Sequence, residues 1–485
     1  MADFAFEKDL TVSETGINGL KVVELSVHGD SRGWFKENWQ RAKMTALGIP
    51  DFHVVQNNIS FNAQAGVTRG IHAEPWNKFI SVAKGSVFGA WVDLREGSDT
   101  FGKVFTTTLD PSRAIYVPRG VGNSFQALEN ETAYTYLVDA HWSADLKKTY
   151  TFVNLADPEL DIDWPIPLSK ATLSDADKKH PFLKDVVPMA PKHILVTGCN
   201  GQLGRAVKQL AKQQGIAPLF DFCDSREFDI ADEAAYRQRN WDAYGAVINC
   251  AAYTAVDNAE TPEGRIAAWK ANAQGPALLS RICTEKGITL VHISSDYVFD
   301  GRREHHDETE PTSPLSVYGQ SKAAGDFAIQ GCPQHYILRT SWVIGDGKNF
   351  VKTMAALSDR VADPNDSLQQ VTVVNDQHGR LTFTQDIAAA IFHLLKTKAP
   401  YGTYDCTGSG AVKTWADIAA AVFSLRNGNA ESVAPVSTAA YYGSATGPVA
   451  PRPMYSALNL SKLEGIGFAM PDWERELQDY LQELE

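Results

Sequence analysis

The chain has 485 residues, 44% of them hydrophobic and 21% charged, with a formal net charge of −13. That length exceeds what one hydrophobic core organises, so two or three domains are expected, and the composition excludes a disordered or collagenous chain. An acidic balance without a basic block argues against nucleic acid or an anionic membrane as a partner.

The opening stretch MADFAFEKDL carries Asp3, Glu7 and Asp9 and no apolar run, unlike a signal peptide. Nowhere does an apolar run reach the length of a spanning helix. The six cysteines (Cys199, Cys223, Cys250, Cys283, Cys332 and Cys406) contain no CxxC pair. Half fall in apolar strand or helix patterns, which points to reduced thiols and a cytoplasmic protein.

From Lys21 to about Ala140 the pattern is short strands: KVVELSVH, HVVQNNIS, KFISVAKG, VFGAWVDLR, KVFTTTL, AIYVP and TAYTYLV. They are rich in Val, Phe, Tyr and Thr and separated by turn residues, with helical spacing only near WQRAKMTALG. This predicts an all-β sandwich or jelly roll over residues 1–185. KDVVPMAPK, with Pro188 and Pro191, predicts a semi-rigid linker at 186–192.

From His193 to the end, strands alternate with helices. HILVTG, PLFDFC, AVINCAAY, TLVHISSDYVF and HYILRTSWVIG are interleaved with QLGRAVKQLAKQQG, DEAAYRQRN, IAAWKANAQGPALLSRICTEKG and VYGQSKAAGDFAIQ. This predicts a Rossmann-type, doubly wound parallel α/β sheet over 193–485.

Gly198, Gly201 and Gly204, with Gln202 and Leu203 between the last two, form GxxGxxG between a strand and a helix. Such a turn lets the backbone approach a pyrophosphate at a helix N-terminus. Tyr318 and Lys322 form YxxxK, which places phenol and ammonium on one helix face. A nearby ammonium lowers a tyrosine pKa, and Ser295 precedes the pair at the end of a strand. Asp221, at the end of the second strand, would bind a ribose hydroxyl and favour NADH; Arg226 would hold a 2′-phosphate and favour NADPH.

These motifs, with NCAAYTAVDNAE, SSDYVFDG, LRTSWVIG, DQHGRLT and RPMYSALN, resemble the extended short-chain dehydrogenases/reductases, and within them the dTDP-4-dehydrorhamnose reductase family. The resemblance implies reduction of the C4 ketone of a dTDP-linked 4-keto-deoxysugar by NADPH, with NADH as the alternative. Tyr318 would be the proton donor, supported by Ser295 and Lys322. Asp229 and Ile230 would flank the adenine, Ala251, Ala252 and Tyr253 would line the cofactor, and Asp296 and Trp342 would touch substrate. Related dehydratases carry Asp-Glu where this chain has Asp296-Tyr297, which favours simple reduction. Leu381 stands where that family often has proline.

In the first part, DSRGWFKENW, VVQNNIS, VTRGIHAEPWNKF, TAYTYLV and TLSDADKKHPFL resemble the dTDP-4-dehydrorhamnose 3,5-epimerase family, a metal-free cupin-like jelly roll. The resemblance implies that His72 abstracts a proton beside the ketone, Asp177 orients the imidazole, Lys78 steadies the enolate and Tyr136 returns a proton. Arg32, Glu37, Gln56, Asn58, Arg69 and Asn123 would contact substrate. Asn123 replaces a usual histidine, and His141 a usual tyrosine. His53, His72 and His141 are scattered without an HxH pair, so no metal site is predicted, although the sequence leaves room for a divalent ion such as Mg²⁺. The family also implies a homodimer through the jelly roll. The combined reading is a bifunctional enzyme of dTDP-L-rhamnose synthesis. The alternatives are the same chemistry on another nucleotide-linked 4-keto-6-deoxyhexose, or a non-catalytic first domain.

Overall fold

The computed structural model describes residues 4–484. It divides into two compact units, which meet in the chain between Pro191 and Lys192.

The first unit is a jelly roll of two antiparallel sheets. One runs in the order Thr11–Glu14, Lys21–Glu24, Arg113–Val117, Lys78–Lys84, Thr132–Val138, Gln56–Asn62. The other runs Thr151–Phe152, Thr68–Ala73, Val121–Ala127, Val87–Asp93, Val104–Leu109. Alternate residues point inward, so Ile80, Val82, Trp91, Ile115, Phe125 and Tyr134 share one core. A second cluster, including Ile71, Val92, Leu160 and Trp164, ties the long segment after the last strand to the smaller sheet. That segment returns along Thr68–Ala73: the Thr68 amide donates to the Thr172 carbonyl at 3.0 Å. It thereby carries residues near 177 back to residue 72.

Two expectations change here. The run KVVELSVH is not one strand. The Leu25 amide bonds the Ser112 carbonyl at 2.8 Å, after which the chain leaves the sheet and Val27–Asp30 pairs with Gly33–Lys36 as a separate hairpin. Part of the expected semi-rigid linker at 186–192 also packs on the jelly roll. Met189 is buried, its amide donates to the Leu94 carbonyl at 2.7 Å, and its carbonyl accepts from Glu96 at 3.0 Å. An apolar side chain with a place in the core overrides the signal of its flanking prolines.

The second unit holds a six-stranded, all-parallel sheet in the order Phe220–Cys223, His193–Thr197, Tyr244–Asn249, Thr289–Ser295, His335–Thr340, Gly402–Asp405. Both faces are covered. Val196, Ile248, Val291 and Leu338 face one core with residues of helices Gln202–Gln213 and Thr384–Thr397. Leu195, Val247, Leu290 and Ile337 face the other with helix Gly275–Lys286. Burial on both faces is why these strands read as unbroken apolar runs. The order reverses beside His193–Thr197, where open α/β sheets bind their ligands. A further cluster joins helices Phe350–Ala362, Trp415–Asn427 and Trp473–Gln482 and includes Leu381, which is fully buried. The six cysteines are free thiols. Among the described residues no helix is long and apolar enough to cross a membrane.

Candidate active sites

In the first unit a cavity of about 680 Å³ opens between strand side chains and the returning segment. His72 enters it from strand Thr68–Ala73, Lys78 from the start of Lys78–Lys84, and Tyr136 from Thr132–Val138. Asp177 begins a short 3-10 turn, Asp177–Lys179. His72 Nε2 lies 2.9 Å from Asp177 Oδ1, across 105 residues of sequence. Burial pushes the Asp177 carboxyl up, but the hydrogen bond and charge of His72, with the Ser174 hydroxyl, bring it below its ordinary value. The anion is therefore kept beside the imidazole.

Lys78 is 4% exposed, and burial draws its ammonium down to about 7. It pairs with Glu74 and lies 5.6 Å from the Tyr136 ring centroid. Burial raises the Tyr136 phenol, against the opposing charge of Arg69, so it stays protonated at neutral pH. Asn123 sits opposite His72 in the ladder and accepts a hydrogen bond from the Tyr134 hydroxyl at 3.1 Å. Thus His72, Lys78, Tyr136, Asp177, Arg69 and Asn123 all line one cavity.

Four expected substrate residues are not among its lining. Arg32 and Glu37 belong to the hairpin segment, are exposed, and pair with Asp30 and Lys43. Because the hairpin forms its own two-stranded sheet, it does not bring them inward. Gln56 and Asn58 bond each other at 2.8 Å on the edge strand, and Gln56 also accepts from the Trp142 amide at 3.1 Å. The sequence reading passed over Glu74 and His180. Glu74 follows His72 by two, the spacing that shares a strand face; His180 follows Asp177 by three, across one tight turn.

In the second unit the glycine turn abuts the end of the next strand. Gly198 has φ +65°, and a Cβ there would sit 2.6 Å from the Ala251 nitrogen. A Cβ on Gly204 would sit 2.4 Å from the Gly198 carbonyl oxygen, so no larger residue fits this crossing. Gly201 caps helix Gln202–Gln213 without a side-chain hydrogen bond to the helix N-terminus, the arrangement that accepts phosphate. Ala251, Ala252 and Tyr253 follow strand Tyr244–Asn249, and the Tyr253 amide donates to Asn272 at 2.8 Å. Ile230 is buried against Gly275, while Asp229 reaches Lys270 at 3.6 Å.

Asp221 is not the acid beside this turn. The strand continues two residues to Cys223, and the Asp221 carboxylate accepts from Tyr244 at 2.6 Å and pairs with His193 at 3.2 Å. Asp224 is the residue that meets the turn, bonded to Asn200 at 3.1 Å and to Arg226 at 2.6 Å. Arg226 projects into solvent there. The difference is one of strand register, invisible to spacing alone.

Ser295 ends strand Thr289–Ser295 and Tyr318 lies in the first turn of helix Val317–Gln330. Ser295 accepts from the Tyr297 amide at 3.2 Å and donates to Asp296 at 3.0 Å. The phenol is not lowered as expected: burial pushes it up to about 12, with only Ser295 opposing. Lys322 is itself buried and drawn down to about 8, against the charge of Asp326, and its ammonium donates to the Ile293 carbonyl at 2.5 Å. Desolvation outweighs the i,i+4 relationship. Burial also raises Asp296 to about 6, against hydrogen bonds from Ser456 and Ser295. Trp342 holds φ +47° and stacks on Trp415 with centroids 3.7 Å apart.

Residues 192–485 match the family model described as RmlD substrate binding domain, and residues 14–185 that described as dTDP-4-dehydrorhamnose 3,5-epimerase. The protein RmlC homolog of Streptococcus pyogenes serotype M6 is 50% identical over 200 residues, 40% of this chain and 100% of that protein. The dTDP-4-dehydrorhamnose reductase of Mycolicibacterium smegmatis is 35% identical over 299 residues, 59% of this chain and 84% of that protein. The crystal structure of dTDP-4-dehydrorhamnose reductase from Bacillus anthracis Ames in complex with NADP is 33% identical, with a TM-score of 0.53, over 60% of this chain and 99% of that one.

Proposed function

The chain belongs to the RmlD substrate-binding-domain family and, over its first part, to the dTDP-4-dehydrorhamnose 3,5-epimerase family, and from that premise we propose a bifunctional enzyme of dTDP-L-rhamnose synthesis. The first unit epimerises dTDP-4-dehydro-6-deoxy-D-glucose at C3 and C5. The second reduces the C4 ketone of the product. The observation that carries the first step is the meeting of His72–Asp177, Lys78 and Tyr136 in one cavity.

His72 removes the proton beside the ketone while the Asp177 anion stabilises the imidazolium that forms. Lys78 offers its ammonium to the enolate oxygen, without which the α-proton is too weakly acidic. Tyr136, kept protonated by burial, returns a proton from the opposite face. A complete proton-transfer set disfavours a non-catalytic first domain.

In the second unit the residues fit a dinucleotide: a glycine cradle that a Cβ at Gly198 or Gly204 would obstruct, a helix N-terminus with no side-chain cap, and the exposed guanidinium of Arg226 beside Asp224. NADPH would be held by Gly198 through Gly204, Ala251 to Tyr253 and Arg226, and would supply hydride to C4. Ser295 holds the carbonyl oxygen beside Tyr318, whose phenol is a loaded proton donor at neutral pH. Asp296 and Trp342 border the sugar. Fusion suits the pair because the epimerised ketosugar reverts unless it is reduced.

The jelly roll is proposed to dimerise through its hairpin, which exposes Phe35, and its edge strand, which exposes Ile59 and Phe61. Light scattering on the full chain tests this, and a monomer at micromolar concentration refutes it. The activity is tested by solvent-deuterium incorporation at C3 and C5 without cofactor, then NADPH oxidation on the same substrate. Bound substrate with no exchange refutes the epimerase, and exchange without NADPH oxidation refutes the reductase.

A further inference from the structure

We propose that His72, Asp177 and His180 form a binding site for a divalent transition-metal ion, with Zn²⁺ as the representative, whose occupancy switches off proton abstraction in that cavity. One ligand atom from each of the three residues lies within 4.8 Å of the others. His72 Nε2 is 2.9 Å from Asp177 Oδ1, and His180 Nε2 is 4.0 Å from the same oxygen. Two ligands on a tetrahedral ion with bonds of about 2 Å stand roughly 3.3 Å apart. The observed spacings bracket that value, so the ion is reached by small side-chain rotations rather than backbone movement.

The donor set is two imidazoles and one carboxylate, which suits zinc, iron(II) or cobalt(II) rather than the all-oxygen shell of magnesium or calcium. The site is also built. His180 follows Asp177 by one turn, so both side chains leave the same side of Asp177–Lys179. The His180 ring stacks on Phe152 with centroids 4.6 Å apart, and Asp177 and His180 are only 8% and 12% exposed. The remaining coordination positions open into the cavity, where Glu74 offsets the charge of Lys78.

The ion takes the His72 Nε2 lone pair in place of the proton shared with Asp177, and that proton passes through solvent to Nδ1, which leaves the ring no free lone pair. The imidazole then has no route to the imidazolium that proton abstraction requires. Metal binding is independent of the epimerase reading, whereas the block rests on it.

The experiment uses the full chain, metal-stripped, with Co²⁺ absorption for binding and Zn²⁺ titration of deuterium exchange for the block. Wild type is compared with His180→Gln and with His53→Gln, an exposed histidine outside the cluster. The expected result is a nitrogen/oxygen-type cobalt band, free of thiolate charge transfer, lost only in His180→Gln. The Zn²⁺ concentration that halves exchange, relative to each protein's own zinc-free rate, should rise by at least about tenfold in His180→Gln. Equal cobalt spectra in wild type and His180→Gln overturn the site. Cobalt bound there with exchange insensitive to Zn²⁺ overturns the block. No exchange in the metal-free protein refutes the epimerase reading and leaves the cobalt comparison to decide the site.

Discussion

Replacing Asp177 by Asn keeps the shape and a carbonyl acceptor for His72 but removes the negative charge. The pair is separated by 2.9 Å, with Asp177 8% and His72 33% exposed. A hydrogen bond to a charged group in such a setting contributes about 1.5–3 kcal/mol. If that energy appears only when the imidazole becomes charged, the barrier to proton abstraction rises by the same amount, or roughly 10- to 160-fold in rate. The exposed third of His72 admits water, which places the expected loss near the lower end of this range. The assay is deuterium incorporation at C5 and C3, followed by NMR without NADPH, so the second unit stays silent. Thermal unfolding of the variant confirms that the jelly roll is intact. Exchange within about twofold of wild type, in a folded variant, refutes the claim that the anion stabilises the transition state.

Three other outcomes follow from the same geometry. Glu74→Gln removes the carboxylate paired with Lys78, whose ammonium burial draws down to about 7. Its ammonium is then lost at lower pH, so the alkaline limb of the exchange profile moves down; an unmoved limb refutes the pairing. Tyr318→Phe should reduce NADPH oxidation by about 10²- to 10⁴-fold with cofactor binding retained, measured by NADPH fluorescence titration; retained turnover refutes its role as acid. Arg226→Ala should raise KM for NADPH by about tenfold and leave that for NADH unchanged, the loss of one charge-assisted contact; an unchanged ratio of the two refutes a role for this guanidinium in cofactor choice.

The order of elements, the change of architecture near residue 190, the glycine turn and the Tyr318–Lys322 pair were legible in the sequence because each rests on short-range periodicity. A two-residue period builds a strand, i,i+4 builds a helix face, and glycine marks a turn that no Cβ fits. His72, Lys78, Tyr136 and Asp177 were legible only through family resemblance, since their meeting depends on strand register and on a returning segment that spans a hundred residues. Tertiary structure alone decided which acid meets the glycine turn, because strand length places Asp224 rather than Asp221 there. It alone decided that Met189 belongs to the jelly roll, that Arg32 and Glu37 stay in solvent on their hairpin, and that Glu74 and His180 join the cavity. It also decided the protonation states: spacing brought an ammonium toward Tyr318, but burial set its phenol at about 12. Proximity along the chain is written in sequence, whereas desolvation and cross-strand partners exist only once distant segments have packed.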